Sequence, residues 1–213
     1  MLYFCLMNSL FKNFLILFSL FFLNSCTTPS KTVSPLAASN QSWSSRATIQ
    51  DLLQKKTHTV NIDIFMSNSE KLRMEISGML NFSIASLVVD STNAAYCIYP
   101  RKNCFFSKLS DQSLRPLFSL TLHPKDFFEI IHGRPMTSKN WTCSTEKNKL
   151  LCEETVKKIT ITTTFQKSGE KTIDVLSPQF SMNWTFDIPQ TEVQLDDKVF
   201  TLQVPKNYTK TFL

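Results

Sequence analysis

Six cysteines lie in this chain of 213 residues, and four of them, Cys97, Cys104, Cys143 and Cys152, fall in its body as two close pairs. A turn centred on Pro100-Arg101 would set Cys97 opposite Cys104, and one centred on Lys147-Asn148 would set Cys143 opposite Cys152. Each pair would then staple a hairpin where antiparallel strands come closest. Four cysteines allow three pairings. A zinc site built from all four cysteines competes with them, although zinc knuckles leave only about two to four residues between paired ligands and these pairs leave more. Other chemistry-bearing residues are sparse. The histidines are His58, His123 and His132. His58 starts a strand pattern, and HPKDFFEIIH, bracketed by the other two, reads as a surface helix with charged residues toward solvent rather than as a metal site. Glu153-Glu154 and Asp196-Asp197 would point to opposite faces of a strand, so neither pair is an acid/base dyad. No G-x-S-x-G, H-E-x-x-H or Cys-His pattern occurs. With only three glycines, the chain has no phosphate-cradling loop. These residues point to a protein that is not an enzyme, with no catalytic residue, resident metal or cofactor.

The N-terminus is a segment apart. Phe14–Leu23 reads FLILFSLFFL, with Lys12 before it and Asn24, Ser25 and Cys26 after it. A basic start, a short apolar core and small residues before the cut make a secretory signal, whereas a membrane span needs about 20 apolar residues. Leu23-Asn24-Ser25-Cys26 resembles the bacterial lipobox, with Asn24 an imperfect fit. The resemblance implies that residues 1–25 are removed and that Cys26 carries covalent acyl chains. Each buried CH2 then contributes about 0.8 kcal/mol to anchorage. Starting at Met7 gives a compact signal of this kind, which leaves residues 1–6 superfluous. Thr27, where enteric sorting rules would notice Asp, suggests the outer membrane, with the domain on its periplasmic face. Residues 26–42 comprise the lipidated Cys26 and a flexible Ser/Thr/Pro/Ala-rich tether. Residues 43–213 form a single domain. Export to an oxidising space favours disulfides for the four remaining cysteines.

The net charge of +6 falls to +5 without residues 1–25, which hold Lys12 alone (22 basic less 17 acidic). Neither a basic patch nor an aromatic-basic motif stands out, so nucleic acid is not an expected partner. From Thr57 onward apolar residues alternate with polar ones: Val60, Ile62 and Ile64, then Leu72, Met74 and Ile76. Further strands are expected at Phe82–Asp90, Ala94–Tyr99, Asn103–Phe106, Trp141–Thr145, Leu150–Glu154, Val156–Phe165, Lys171–Leu176, Met182–Ile188 and Val199–Val204, with Trp43–Leu53 leaning to strand. One stretch, Asp111–Gly133, interrupts them with one or two helices, among them an amphipathic helix packed on the sheet, with Pro124 as its first residue, Asp126 in its first turn and Gly133 past its end. Serial antiparallel strands without βαβ alternation predict a mainly β, α+β fold, a strongly curved antiparallel sheet or barrel with a helix packed on it.

Taken in order, Leu72-Arg73-Met74-Glu75-Ile76, Gly78-Met79-Leu80-Asn81-Phe82, Ala85-Ser86-Leu87-Val88-Val89-Asp90, then Leu120-Thr121-Leu122-His123-Pro124 and Ile130-Ile131-His132-Gly133-Arg134-Pro135, this sequence resembles the LolB family over roughly residues 57–136. Those outer-membrane lipoproteins accept acylated lipoproteins from a soluble periplasmic carrier, LolA, and place them in the membrane. The resemblance implies a LolA/LolB-like half-barrel, an incomplete, strongly curved antiparallel barrel with a helical lid, around an apolar cavity that shelters acyl chains. Its partners would be a LolA-like carrier, acylated lipoprotein clients and outer-membrane lipid. The family's membrane-touching residue falls on Leu80, flanked by Met79 and Phe82. The loop lacks the family's Pro before and Gly after that Leu, and the cysteine pairs are not a family feature. Met79, Leu80 and Phe82 could instead start the next strand and face the core. Leu122, Phe127, Ile130 and Ile131 are the candidate cavity and lid residues, with plain core as the competing role for the helix positions. Two other functions fit the same residues: binding or transport of a phospholipid or other amphiphile, and a packed, non-catalytic envelope scaffold.

Overall fold

The computed structural model describes residues 40–67, 70–118 and 122–213. The signal segment, Cys26, nearly all of the tether, Leu120 and Thr121 lie outside the described residues. The strands are β1 (Gln41–Asp51), β2 (Lys56–Ser67), β3 (Lys71–Ser77), β4 (Ser83–Val89), β5 (Asn93–Ile98), β6 (Asn103–Lys108), β7 (Trp141–Glu146), β8 (Lys149–Glu154), β9 (Ile159–Phe165), β10 (Lys171–Leu176), β11 (Phe180–Phe186), β12 (Gln190–Thr191) and β13 (Thr209–Phe212). Two helices, α1 (Arg115–Phe118) and α2 (Pro124–His132), fall between β6 and β7. Strand β1 takes in Gln41 and Ser42, the last two residues assigned to the tether.

One mostly antiparallel sheet results, in the order β13-β6-β5-β4-β3-β2-β1-β11-β10-β9-β8-β7, with β12 beside β1. Its ends, β7 and β13, do not pair, so the described residues form an open curled sheet with two helices. Period-two alternation sets the inner face: Trp43, Ser45 and Ala47 of β1, Ile62, Ile64 and Met66 of β2, and Leu72, Met74 and Ile76 of β3 are buried. The buried Ser45 is satisfied, donating to the Ile62 carbonyl at 2.7 Å and accepting from Trp184 Nε1 at 2.9 Å. Strand β4 is buried on both faces from Ala85 to Val89 because the C-terminal segment crosses the outside of the sheet. There Arg73 donates to the carbonyls of Val199 (2.6 Å) and Thr201 (3.2 Å) while pairing with Glu75, and Lys71 reaches Asp197 at 2.7 Å.

That segment corrects the expected strand at Val199–Val204. Asp197–Phe200 is a 3-10 turn, capped by Asp196, whose carboxylate accepts from Lys198 N at 3.0 Å. An Asp in that position competes with the ladder by bonding to local backbone. Strand β9 starts at Ile159 rather than Val156, and the next-but-one strand spans Phe180–Phe186 rather than Met182–Ile188. The purely antiparallel expectation also fails at one place, since β13 runs parallel to β6.

Both cysteine pairs are disulfides across hairpins, Cys97–Cys104 between β5 and β6 and Cys143–Cys152 between β7 and β8. Their Cα atoms lie 4.0 and 4.1 Å apart, the short spacing of a non-hydrogen-bonded pair. The two bridges brace opposite margins of an open sheet, where pairing on one side is weakest. Removing the Cys143–Cys152 bridge with a double Ser substitution is expected to lower stability by about 2–3 kcal/mol, the chain-entropy value for so short a loop. A urea titration of oxidised wild type against the variant checks this.

Candidate functional site

Helix α2 is built to lie on the sheet. Its N-terminus carries Pro124, and His123 Nδ1 accepts from Lys125 N at 3.2 Å. At its other end Gly133 adopts φ 66°, and the Gly133 and Arg134 amides close onto the Ile130 and Glu129 carbonyls at 3.0 and 2.9 Å. A Cβ at Gly133 would also meet the Phe165 ring at 2.6 Å, so glycine serves both turn and close approach. The helix's apolar face packs on the sheet as expected, but one charged residue expected toward solvent does not face it. Asp126 is inside, accepting from Ser138 Oγ at 3.2 Å, and burial pushes its carboxyl up.

Lys171 of β10 pins the far end of the helix. Its ammonium donates to the Ile131 carbonyl, where the helix dipole is negative, and lies 5.5 Å from the Trp43 ring centre and 4.7 Å from that of Phe186. Burial lowers the Lys171 pKa to about 8. The same enclosure, with Arg134 and Lys171 nearby, lowers that of His132 to about 4; Trp43 meets its ring edge-on at 5.9 Å. His132 is thus neutral at pH 7 and titrates at about 6.5 in the unfolded chain. Between about pH 6.5 and 4 the unfolded state binds the extra proton, so stability falls as pH falls through that window. After discounting for its partial exposure, the loss is about 2 kcal/mol. Urea midpoints at about pH 7 and pH 4.5 should differ less in His132→Gln than in wild type.

Between this lid and the inner face of the sheet lies a cavity of about 430 Å³. Its walls include Ile62, Met74, Ala85, Ile161, Val175 and Trp184 from the sheet, and Leu117, Phe118, Leu122, Phe127 and Ile130 from the lid. Asp51, His58 and Gln179 also line it, at the turn end of β1, β2 and β11. Of the expected cavity residues, Leu122, Phe127 and Ile130 line the space. Ile131 does not: it is fully buried about a hundred degrees round the helix from Ile130, in core packing. Phe128 is core as well. The volume is that of small-ligand sites, roughly 300–1,000 Å³. If a methylene takes about the volume share of a water, ~30 Å³, the space holds a chain of about 14 carbons.

Met79, Leu80 and Asn81 form a single 3-10 turn outside the strands, with Phe82 at its end, and the core-facing role considered for Met79, Leu80 and Phe82 meets exposed side chains instead. Leu80 is 96% exposed, with Met79 at 73% and Phe82 at 58%. Leu80 and Asn81 both adopt left-handed backbone, φ 65° and 58°, which costs a non-glycine residue roughly 1 kcal/mol or more. Gly78 shapes this loop: the Phe82 ring lies where a Cβ would sit, 2.8 Å from it, and Gly78 N donates to the Phe82 carbonyl at 3.0 Å.

No protein-family model matches the chain, and no curated protein matches it. Solved structures align with it at low identity. A LolA superfamily protein from Nitrosomonas europaea is 9% identical with a TM-score of 0.44, covering 78% of this chain and 91% of its own. An outer membrane lipoprotein-sorting protein domain from Vibrio parahaemolyticus, so described as putative, is 7% identical at TM-score 0.41, covering 76% and 89%. A DUF1329 family protein from Desulfovibrio piger is 10% identical at TM-score 0.47, covering 77% and 90%.

Sequence reasoning missed several lining residues, among them Ala85, Leu117, Phe118 and Trp184. Ala85 and Trp184 were legible as strand residues, but which of them face an empty space depends on how the sheet curls. Among the described residues no cluster of His, Cys, Asp and Glu is arranged to hold a metal ion.

Proposed function

We propose that the protein is a lipid-anchored envelope lipoprotein, held at the outer membrane by acyl chains on Cys26, that takes an acylated client from a LolA-like periplasmic carrier and releases it to the membrane. The observation that carries this reading is an apolar cavity whose polar lining among the described residues, Asp51, His58 and Gln179, sits at one end. Such a wall offers an alkyl chain about 0.8 kcal/mol per CH2 removed from water and offers a polar substrate nothing. Transfer needs no nucleotide when it runs downhill, because a modest difference in affinity between carrier, receptor and bilayer sets the direction. Exposed Leu80 supplies a point of contact with lipid. A carrier loaded with a triacylated lipoprotein, mixed with membranes bearing this protein, should deliver the client, and membranes lacking it should not. Absence of delivery with a competent carrier would overturn the receptor reading.

A second reading draws on the cavity's size. Room for about one chain suits a phospholipid or single-chain amphiphile as ligand, while a triacylated client requires the lid to move outward. Mass spectrometry of lipid co-purified with the protein separates the two: free phospholipid without acylated protein favours lipid transport. The scaffold reading required a packed interior, which the cavity does not provide.

A further inference from the structure

The strand register gathers five turns at one end of the sheet. Asp51 pairs with both Lys56 and Phe180, Leu176 with Thr160, Glu154 with Ile159, Ser77 with Ser83, and Ile98 with Asn103. The turns 99–102, 78–82, 52–55, 177–179 and 155–158 therefore follow one another along one rim of the sheet, and 52–55 and 177–179 adjoin the cavity's polar lining. Most exposed large apolar side chains of the described residues are also there: Leu52, Leu53, Met79, Leu80, Phe82, Val156 and Leu176. Leu53 and Val156 are 75% and 77% exposed.

Charge is distributed just as unevenly. The five turns carry Lys55, Arg101, Lys102, Lys157 and Lys158 and no acidic residue, while at the strand ends that flank them Lys56 stands against Asp51 and the buried Glu154. Lys157 faces Asp111 at 3.1 Å, and the other five cations are exposed. Turns at the opposite end hold Glu70, Asp90, Glu170 and Asp187 against Lys147 and Lys167. Three of the cations, Lys55 (φ 54°), Lys102 (φ 48°) and Lys158 (φ 54°), occupy left-handed positions where glycine would sit without strain. Three separate turns thus keep a charge at a conformational cost.

We infer that this end of the domain is a multi-point docking surface for an anionic phospholipid bilayer, with Leu53, Val156 and Leu176 entering the interface alongside the Leu80 loop and the lysines engaging headgroups. The inference rests on the acyl-transfer reading for its purpose and extends the contact well beyond one loop. Isolated aliphatic tips set among long lysines suit a headgroup layer, into which the tips sink while the ammonium groups stay with the phosphates. A protein partner fits less well, because the centres of protein interfaces are enriched in aromatics and depleted in lysine. Docked this way, the cavity mouth meets the bilayer, so an acyl chain passes from wall to lipid without crossing water.

The test uses the full chain purified from membranes and added to preformed vesicles of brominated phosphatidylcholine, with or without phosphatidylglycerol. Single substitutions Leu53→Trp, Val156→Trp and, at the opposite end, Ile188→Trp report lipid contact by quenching. Ile188 is the matched control, being 55% exposed. Quenching is expected at positions 53 and 156 and not at 188, and it should deepen with phosphatidylglycerol and weaken in high salt. The triple variant K55G/K102G/K158G relieves backbone strain as it removes three charges, so it should fold normally and lose vesicle contact about tenfold or more. Equal quenching at position 188, or insensitivity to both anionic lipid and the triple variant, would overturn the inference. So would absent quenching on vesicles together with impaired delivery by the triple variant, which would assign the surface to an acidic carrier instead. A fluorescent acylated lipopeptide measures the cavity separately: its binding should survive in the triple variant, and its failure in wild type would strike the acyl reading rather than the docking surface.

Discussion

Replacing Leu80 by glycine should reduce client delivery to membranes about 10- to 100-fold while leaving the domain at least as stable as before. The delivery loss follows from withdrawing one leucine side chain from lipid, worth roughly 1.5–3 kcal/mol when fully buried. The stability expectation follows from backbone geometry. Leu80 sits at φ 65° and makes no buried contact in the fold, so glycine removes a conformational cost and little else. Greater freedom of the unfolded chain offsets part of that gain, leaving a change between zero and about 1 kcal/mol of stabilisation. Delivery assays and urea titrations on the same preparation decide the matter. A core role for Leu80 would instead show as a stability loss of about 2–5 kcal/mol, the usual cost of emptying a buried leucine site. Leu80→Glu should impair delivery further, since a carboxylate at the tip must also leave water.

The second large effect is expected from filling the cavity. Ala85 is fully buried on β4, lines the space, and faces it with the smallest side chain in the wall. In Ala85→Phe the ring would displace on the order of four methylenes of any bound chain, at about 0.8 kcal/mol each. Affinity for an acylated lipopeptide should fall about 100-fold. Because the ring enters empty space rather than packed core, the stability cost should stay within about 1–2 kcal/mol, the low end for overpacking. Binding by fluorescence and unfolding by urea, measured together, separate a blocked cavity from a damaged fold. Unchanged affinity in a stable variant would mean that ligand binds elsewhere.

Much of the sheet was legible because one face of each strand is buried and the other is not. The stripes of Ile62, Ile64 and Leu72, Met74, Ile76 carry period two so plainly that their strands leave no other choice. Helix α2 announced itself through Pro124 and Gly133, whose roles depend only on local backbone. What escaped was set by distant contacts. Asp126 and His132 read as solvent-facing because charge usually is; Asp126 is buried and His132 half-buried because the loop after the helix and the end of β10 close over them. Ile131 shares an apolar stripe with Ile130, yet one turns to the cavity and the other to packed core, a distinction that depends on where the sheet curls. The parallel pairing of β13 with β6 joins residues more than a hundred apart, and no local pattern encodes it. The basic, apolar-tipped end was invisible for the same reason, since its turns become neighbours only through the register of the whole sheet.

The central claim is that an acyl chain lies within the sheet, beneath α2. A synthetic triacylated lipopeptide bearing a photoreactive group near the end of one acyl chain, bound to the full-length protein and irradiated, tests it most directly. Crosslinks mapped by peptide mass spectrometry should fall on wall residues such as Met74, Ile130 and Trp184, and should be displaced by unlabelled lipopeptide and absent in Ala85→Phe. Crosslinks confined to the outer face of the sheet, or unchanged by that substitution, would contradict the account.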